Sequence, residues 1–492
     1  MQYGDRTGRR IAVLAISRAI SGAITVVLAA CAVPPAPQQP KPLRTADTLG
    51  DVASLSGGAA QFPADRWWSV YGDPGLDAVI AEALANSPDM AVAAARIRAA
   101  DAAADRAGGA LSPTLTADGT VGGVKQSYNM GIPAQFVPKG VIETGKLSAT
   151  LGLNLDLWGR GRAGLAAARG EAEAARVDAA QARLLLASGV ALSWGHLAQL
   201  NSARDLALRS AGALTGVERL TAQRVSAGID NRADHELAIS RRAGAEQALA
   251  ALDELIALER NRLSALIGAG PDRAGHLPAP APNLARISGV PANLAASLIG
   301  RRPDIVSARL RAEAASARVT SARRAFYPDI NLVAVAGLQS LGLGQLFNSG
   351  SSFASFGPAI SLPIFDGNRL TSNYNTAGAA YDEAVARYDQ TLLAALREVA
   401  DVLDSKRALA QRLSAARTAA QSADQAARLA RLRHGEGIAN LLQLLTAEDT
   451  ALASQRALTE LEARAFLLDV TLVRALGGGF AAPLPGTEQP TP

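Results

Sequence analysis

The sequence predicts a mixed α/β membrane protein made by tandem duplication, each half supplying one long α-helical hairpin and two β-strands. Three observations carry this expectation: where prolines are missing, where apolar and polar residues alternate, and which residues recur at a fixed offset. The 492-residue chain is 49% hydrophobic and 19% charged but only 4% aromatic. Such a composition opposes disorder and suits long, closely packed helices better than an aromatic-rich globular core.

The helices come first. Of 24 prolines, none falls between residues 139 and 270 or between 364 and 482. Proline costs about 3 kcal/mol in a helix interior, so these gaps are where helices can be long. Residues 162–224 are rich in Ala, Leu, Arg, Glu and Gln, and as continuous helix they would run about 90 Å. After a break at Ala227-Gly228-Ile229-Asp230-Asn231, residues 233–267 form a second helix. The other gap repeats the plan: a helix near 370–433, a break at Gly435-Glu436-Gly437, and a helix near 440–475.

The duplication is visible residue by residue. Pro88-Asp89 and Pro113 recur 215 positions later as Pro303-Asp304 and Pro328. Arg224, Gly228, Ile229 and Asn231 recur 209 positions later as Arg433, Gly437, Ile438 and Asn440, and Gly268 and Gly270 as Gly477 and Gly479. The expected organisation is a first repeat over 62–285, with strands near 113–124 and 147–158 and a hairpin over 162–268. The second repeat covers 286–480, with strands near 328–340 and 353–365 and a hairpin over 370–476. Residues 481–492 form a tail.

Between the helices the period changes to two. Leu147, Ala149, Leu151, Leu153, Leu155 and Leu157 alternate with Ser148, Thr150, Gly152, Asn154 and Asp156, the length and pattern of a membrane-spanning strand. Ile330, Leu332, Ala334, Ala336 and Leu338 repeat the pattern, as do Phe356, Pro358, Ile360, Leu362 and Ile364; residues 113–124 are a weaker fourth case. Trp158, Phe326, Tyr327 and Phe365 bracket these segments and suit a membrane interface, although a packed junction would also use them. Four strands cannot close a transmembrane barrel, for which about eight is the minimum, and free strand edges are not tolerated in lipid. If the strands span a membrane, several chains share one barrel.

The amino terminus reads as an export signal over residues 1–30. Arginines end at Arg18, and an uncharged, mostly apolar run follows from Ala19 to Ala30. It closes as Leu28-Ala29-Ala30-Cys31, which resembles the bacterial lipobox, and Cys31 is the chain's one cysteine. Cys31 is therefore the expected lipid-attachment site. Residues 31–61, with five prolines by Pro42, read as a tether between the anchor and the folded body.

Charge and rare residues exclude other classes. Residues 1–30 hold four of the 49 basic residues and one of the 44 acidic ones, so the remainder carries only +2, without a basic run interleaved with aromatics. No nucleic-acid partner is expected. One cysteine excludes a Cys-based metal site, and His196, His235, His276 and His434 show no paired ligand spacing. Trp194-Gly195-His196 reads as helix packing and Gly268-Ala269-Gly270 as a helix end, not a nucleotide loop. Met90 and Met130 are too few for a methionine-lined copper or silver path. The expectation is no catalytic residue, no metal and no cofactor beyond the covalent lipid.

These residues together resemble the outer-membrane factor family, the TolC-like efflux channels, and within it the lipoprotein (NodT-type) branch serving RND multidrug pumps. The resemblance runs from about Phe62 to Phe480. It rests on Trp68, Asp73-Pro74, Leu155-Asp156-Leu157-Trp158-Gly159-Arg160, Arg301-Arg302-Pro303-Asp304-Ile305, Phe356-Gly357-Pro358, Leu362-Pro363-Ile364-Phe365-Asp366-Gly367 and Leu476-Gly477-Gly478-Gly479. It implies a homotrimer with a 12-stranded outer-membrane β-barrel, four strands per chain, continued by a periplasmic α-barrel. The implied function is a passive exit duct in the outer membrane of a Gram-negative bacterium. A periplasmic membrane-fusion (adaptor) protein would join it to an inner-membrane RND transporter that supplies the energy.

In that family the two helix–helix turns meet the adaptor, which points here to Arg224, Gly228, Ile229, Arg433, Gly437, Ile438 and Asn440. The family's best-known members close this end with carboxylate rings. The matching positions here are Gln443 and Thr446, both uncharged, and Asp230 and Asp234 on the other hairpin are the alternative gate-lining candidates. Two further readings remain: the outer duct of a type I protein-secretion system, and a non-channel periplasmic coiled-coil scaffold, which would have helices but no barrel.

Overall fold

The computed structural model describes residues 41–45, 61–127, 129, 133–281 and 299–481. The expected signal, Cys31, most of the tether and residues 482–492 lie outside the described residues. The elements are α1 (Pro74–Asn86), α2 (Pro88–Gly109), β1 (Thr114–Val124), β2 (Ile142–Asn154), α3 (Arg160–Ser226), α4 (Arg232–Leu266), α5 (Pro303–Arg324), β3 (Asp329–Leu341), β4 (Ser352–Ser361), α6 (Arg369–Gly435) and α7 (Leu441–Ala475). Helices α2 and α5 are each 22 residues long, α3 and α6 each 67, and α4 and α7 each 35. At 1.5 Å per residue, α3 and α6 each extend about 100 Å. Among the described residues no helix is long and apolar enough to cross a membrane.

Among the described residues the chain forms two compact units, each drawing on both repeats: one takes those within 98–173 and 309–386, the other those within 43–97, 174–308 and 387–481. The first holds a four-stranded antiparallel sheet in the order β1-β2-β3-β4. Its register places Leu115, Leu151, Ala334 and Phe356 in one row and Ala117, Ala149, Ala336 and Ala354 in the next. Because side chains alternate with period two, this gives all four strands a common apolar face. The opposite face carries Thr116, Thr150, Val335 and Ser355 in one row and Asp118, Ser148, Gly337 and Phe353 in the next. Lys146 on that face lies 5.5 Å over the Phe353 ring.

Two strands differ from expectation at their ends. The second begins at Ile142, not 147, and stops at Asn154, not 158. Its first residues, Glu143-Thr144-Gly145-Lys146, carry no apolar alternation, yet they pair with β1 up to Val124. It stops because Asp156 adopts φ +40° and its carboxylate accepts from Gly161 N (2.8 Å) and Arg162 N (2.9 Å), capping α3. The fourth strand stops at Ser361, not 365, just before Pro363, which has no N–H to donate. Asp366 repeats the capping role, accepting from Leu370 N at 2.8 Å. Phe326, Leu370 and Tyr374 are buried together at the foot of the sheet unit.

The second unit is the helical one. Its main core packs Trp67, Trp68 and Tyr71 with Leu76 and Ile80 of α1, Trp194 of α3, Ile267 after α4, and Phe466 of α7. Asp73 caps α1 by accepting from Gly75 N (2.9 Å) and Leu76 N (3.2 Å), and also accepts from Trp194 Nε1 (2.7 Å) and Ala281 N (2.9 Å). Within Trp194-Gly195-His196, Trp194 and Gly195 pack as expected, a Cβ on Gly195 lying 2.6 Å from Phe466, whereas His196 is exposed. Gly268 ends α4 at φ +76°, also as expected. A second cluster joins Ile305 of α5 with Leu392 and Val399 of α6 and Leu472 of α7.

Candidate functional site: the two hairpin turns

The turn between α3 and α4 and the turn between α6 and α7 share one backbone design. In the first, Gly228 N donates to Val225 O (3.1 Å) and Ile229 N to Arg224 O (2.8 Å). In the second, Gly437 N donates to His434 O (3.0 Å) and Ile438 N to Arg433 O (2.8 Å). This is the paired closure in which a left-handed residue ends a helix. Both glycines have φ +74° and open space where a Cβ would sit, so backbone conformation alone demands glycine. The return helices are capped alike: Asn231 accepts from Asp234 N and Asn440 from Gln443 N, each at 2.9 Å. In such closures the residue after the glycine commonly packs back on its helix. Here Ile229 and Ile438 remain 63% and 67% exposed.

The four helices are joined near the turns. Leu441, Leu444 and Leu445 of α7 are buried against Leu214 and Val217 of α3, Leu237 of α4 and Ala430 of α6. Arg242 of α4 pairs with Glu218 of α3, and Arg431 of α6 with Glu448 of α7. Arg241 of α4 reaches Asp449 of α7 at 2.7 Å. None of these pairs is repeated at the 209-residue offset, so each hairpin is tied by its own residues. The leucines Leu429, Leu432 and Leu442 are exposed beside them.

The candidate residues separate by side-chain engagement. Arg224 is half-buried and grips Asp230 through two hydrogen bonds, Nε to Oδ2 at 2.8 Å and Nη2 to Oδ1 at 3.2 Å. The Arg224 hydrogen bonds hold the Asp230 carboxyl below the usual carboxylate range against the opposing effect of burial, and the nearby His434 adds to the lowering. Arg433, at the equivalent position, is exposed, and among the described residues its side chain has no ion pair. Ala439 stands where Asp230 would be.

The gate candidates are likewise committed locally. Gln443 turns back so that its Oε1 accepts from Asn440 N at 3.3 Å, completing a reciprocal cap. Thr446 donates its hydroxyl to Leu442 O at 2.7 Å. Asp234 is half-buried in the first turn of α4. His434 is the turn residue that sequence reasoning weighed only as a metal ligand. It is buried, its Nδ1 lies 2.9 Å from Ala439 O, and its Nε2 is buried without a partner among the described residues. The signal was available, since the 209-residue offset aligns His434 with Val225.

Comparison with known proteins gives the family. The chain matches the family model described as outer membrane efflux protein over residues 79–269 and 294–478. It is 30% identical over 479 residues to the multidrug resistance outer membrane protein MdtP of Escherichia coli, covering 93% of this chain and 95% of that protein. It is also 30% identical over 473 residues to the probable efflux pump outer membrane protein TtgC of Pseudomonas putida, covering 94% and 95%. Among solved structures, the outer membrane protein VceC of Vibrio cholerae superposes with a TM-score of 0.78 at 36% identity, covering 85% of this chain and 100% of VceC. The chain belongs to the outer membrane efflux protein family.

Proposed function

We propose that this protein is the outer-membrane exit duct of a tripartite RND-type efflux system, passively conducting drugs or other small molecules to the exterior. The observation that carries the reading is the sheet: four strands with one continuous apolar face, a more polar opposite face, and β1 and β4 at its two edges. In lipid those edges must be paired, and three copies supply twelve strands, enough to enclose a channel. A homotrimer with the apolar face on lipid and the other face on the lumen satisfies both demands. The sheet also argues against a purely coiled-coil scaffold. The names of the relatives favour efflux over protein secretion.

In this reading Cys31 carries the lipid, the helices extend into the periplasm, and the turns meet the adaptor, with Ile229 and Ile438 as the apolar contacts. Exposed apolar side chains at the end of a charged helical bundle mark a surface for a partner. Asp230 belongs to the turn's internal structure through Arg224, and no carboxylate ring is proposed at Gln443 or Thr446. The transporter, not the duct, supplies the energy.

The test is native mass measurement of the detergent-extracted protein together with disulfide mapping. Leu115→Cys on β1 is combined in turn with cysteines at Ala354, Phe356 and Pro358 on β4. A lipid-bearing trimer, with cross-links forming dimers and trimers, is expected. A monomer released without detergent, with no intermolecular cross-link, overturns the duct.

A further inference from the structure

We infer that the junction between the sheet and the long helices binds the headgroups of anionic phospholipids in the periplasm-facing leaflet, through Arg160 and Arg369 beside exposed aromatic rings. This rests on the reading of the sheet as membrane-spanning.

Below β2 and β3, the Trp158 and Tyr327 rings stack with centroids 5.3 Å apart. Trp158 Nε1 donates to Pro328 O at 2.8 Å, which fixes the ring while leaving it 47% exposed. With Arg160, Arg324, Asp156 and Asp329 these rings line a recess of about 340 Å³. The acids are already engaged: Asp156 accepts from Gly161 N and Arg162 N, and Asp329 accepts from Asn154 Nδ2 at 2.9 Å. Arg324 donates to Gly159 O at 2.8 Å. Arg160 differs. It is exposed, and among the described residues its guanidinium has no hydrogen bond or ion pair.

Arg160 also stands at a helix end that disfavours a cation. It opens α3, whose first turn contains no acid, and a cation there opposes the helix dipole. The duplication repeats this. Arg369 opens α6, again with no acid in the first turn, and its exposed guanidinium has no hydrogen bond or ion pair among the described residues. Ile364 and the 92% exposed Phe365 precede it by five and four positions, where Leu157 and Trp158 precede Arg160 by three and two. The Arg160 guanidinium in one recess with the amphipathic Trp158 ring, continuing from an apolar sheet face, matches a phosphate headgroup above acyl chains. A free phosphate would use the arginine but leave the exposed rings and aliphatic side chains in water.

The test uses the full-length trimer in vesicles containing brominated phosphatidylglycerol or brominated phosphatidylcholine at equal bromine content. Trp67, Trp68 and Trp194 are buried in the helical unit, so bromine quenching reports on Trp158. The wild type is expected to recruit the anionic lipid about fivefold over the neutral one, the effect of one basic residue at an anionic surface. Arg160→Gln with Arg369→Gln removes that preference. Salt at about 1 M, where the Debye length falls to about 3 Å, weakens it in the wild type without any substitution. Equal quenching by both lipids in the wild type, or a preference kept by the variant and in high salt, overturns the inference. A Phe356→Trp reporter in a Trp158→Phe background separates the two failures. Quenching there by both lipids leaves the membrane-spanning sheet standing, and no quenching removes it.

Discussion

The two hairpin turns have the same backbone and different chemistry. Both close on a glycine at φ +74°, both receive an Ile N–H on an Arg carbonyl at 2.8 Å, and both start the return helix on an Asn cap. Yet Arg224 is bound to Asp230, whereas Arg433 is left exposed because Ala439 stands at the position of that aspartate, and a buried His434 sits where the first turn has Val225. The difference teaches which features the turn itself needs. What appears in both copies is what reverses the chain and presents an isoleucine. What appears in one copy serves that hairpin's own surroundings.

The largest effect should come from the shared apolar tips. Burying an isoleucine at an interface contributes about 1.5–3 kcal/mol, so Ile229→Asp and Ile438→Asp should each weaken adaptor docking roughly tenfold to a hundredfold. The trimer should stay intact, because both side chains are exposed. Drug susceptibility of cells complemented with each variant, read beside adaptor cross-linking, checks this. If both variants dock normally, the turns are not the contact. If only one fails, the two turns are unequal partners.

Next comes the glycine pair. Gly228→Val and Gly437→Val place a β-branched residue at the same φ, which costs about 1–2 kcal/mol. Hydrogen exchange at the amides of residues 228–230 and 437–439 should accelerate by similar factors. Unequal factors would show that His434 or the Arg224–Asp230 pair compensates on one side.

A smaller, asymmetric effect is expected at the caps. Loss of an Asn cap costs about 1 kcal/mol, but Asn440→Ala keeps the backbone N–H that Gln443 Oε1 accepts from, so half of the reciprocal cap survives. Fraying of α7 at residues 441–444 should therefore stay below fraying of α4 after Asn231→Ala, where no second cap bond remains. The reverse order, measured by exchange, would deny the reciprocal cap any role.

The smallest effect at neutral pH concerns Asp230. Because its folded-state pKa is lowered, its stabilising contribution is fully present above the unfolded value of about 3.9 and is lost as pH falls through the folded value. The first turn should loosen only at strongly acid pH, and Asp230→Asn should remove that dependence. Exchange corrected for intrinsic rates, followed from pH 6 downward, reads it. A transition near neutral pH that survives Asp230→Asn would place the titrating group elsewhere.

Much of the fold was legible because it depends on short-range rules. Proline-free stretches marked all four long helices to within about two residues, the usual uncertainty of helix ends. Glycine and asparagine at matched offsets located both reversals. The sheet was legible only where its apolar residues alternate. The first five residues of β2, with Glu143 and Lys146, are held by pairing with β1 and carry no such signal. Leu362 and Ile364 keep the alternation but lie beyond the ladder. At the turns, residue type identified the positions without telling which charges were free.

By itself, then, the sequence determined the repeated hairpins, the two reversals, the apolar stripe of each strand and the family resemblance. These follow from backbone sterics, missing N–H donors and residue periodicity, all of which act over a few neighbouring positions. Only the tertiary structure decided that Arg224 is occupied by Asp230, that His434 is buried, that Arg241 reaches Asp449 across the hairpins, and that four stripes merge into one apolar face. Such pairings depend on strand register and helix rotation. A shift of one residue in a strand, or a turn of a helix by a third of a revolution, would exchange every partner while leaving the local pattern unchanged.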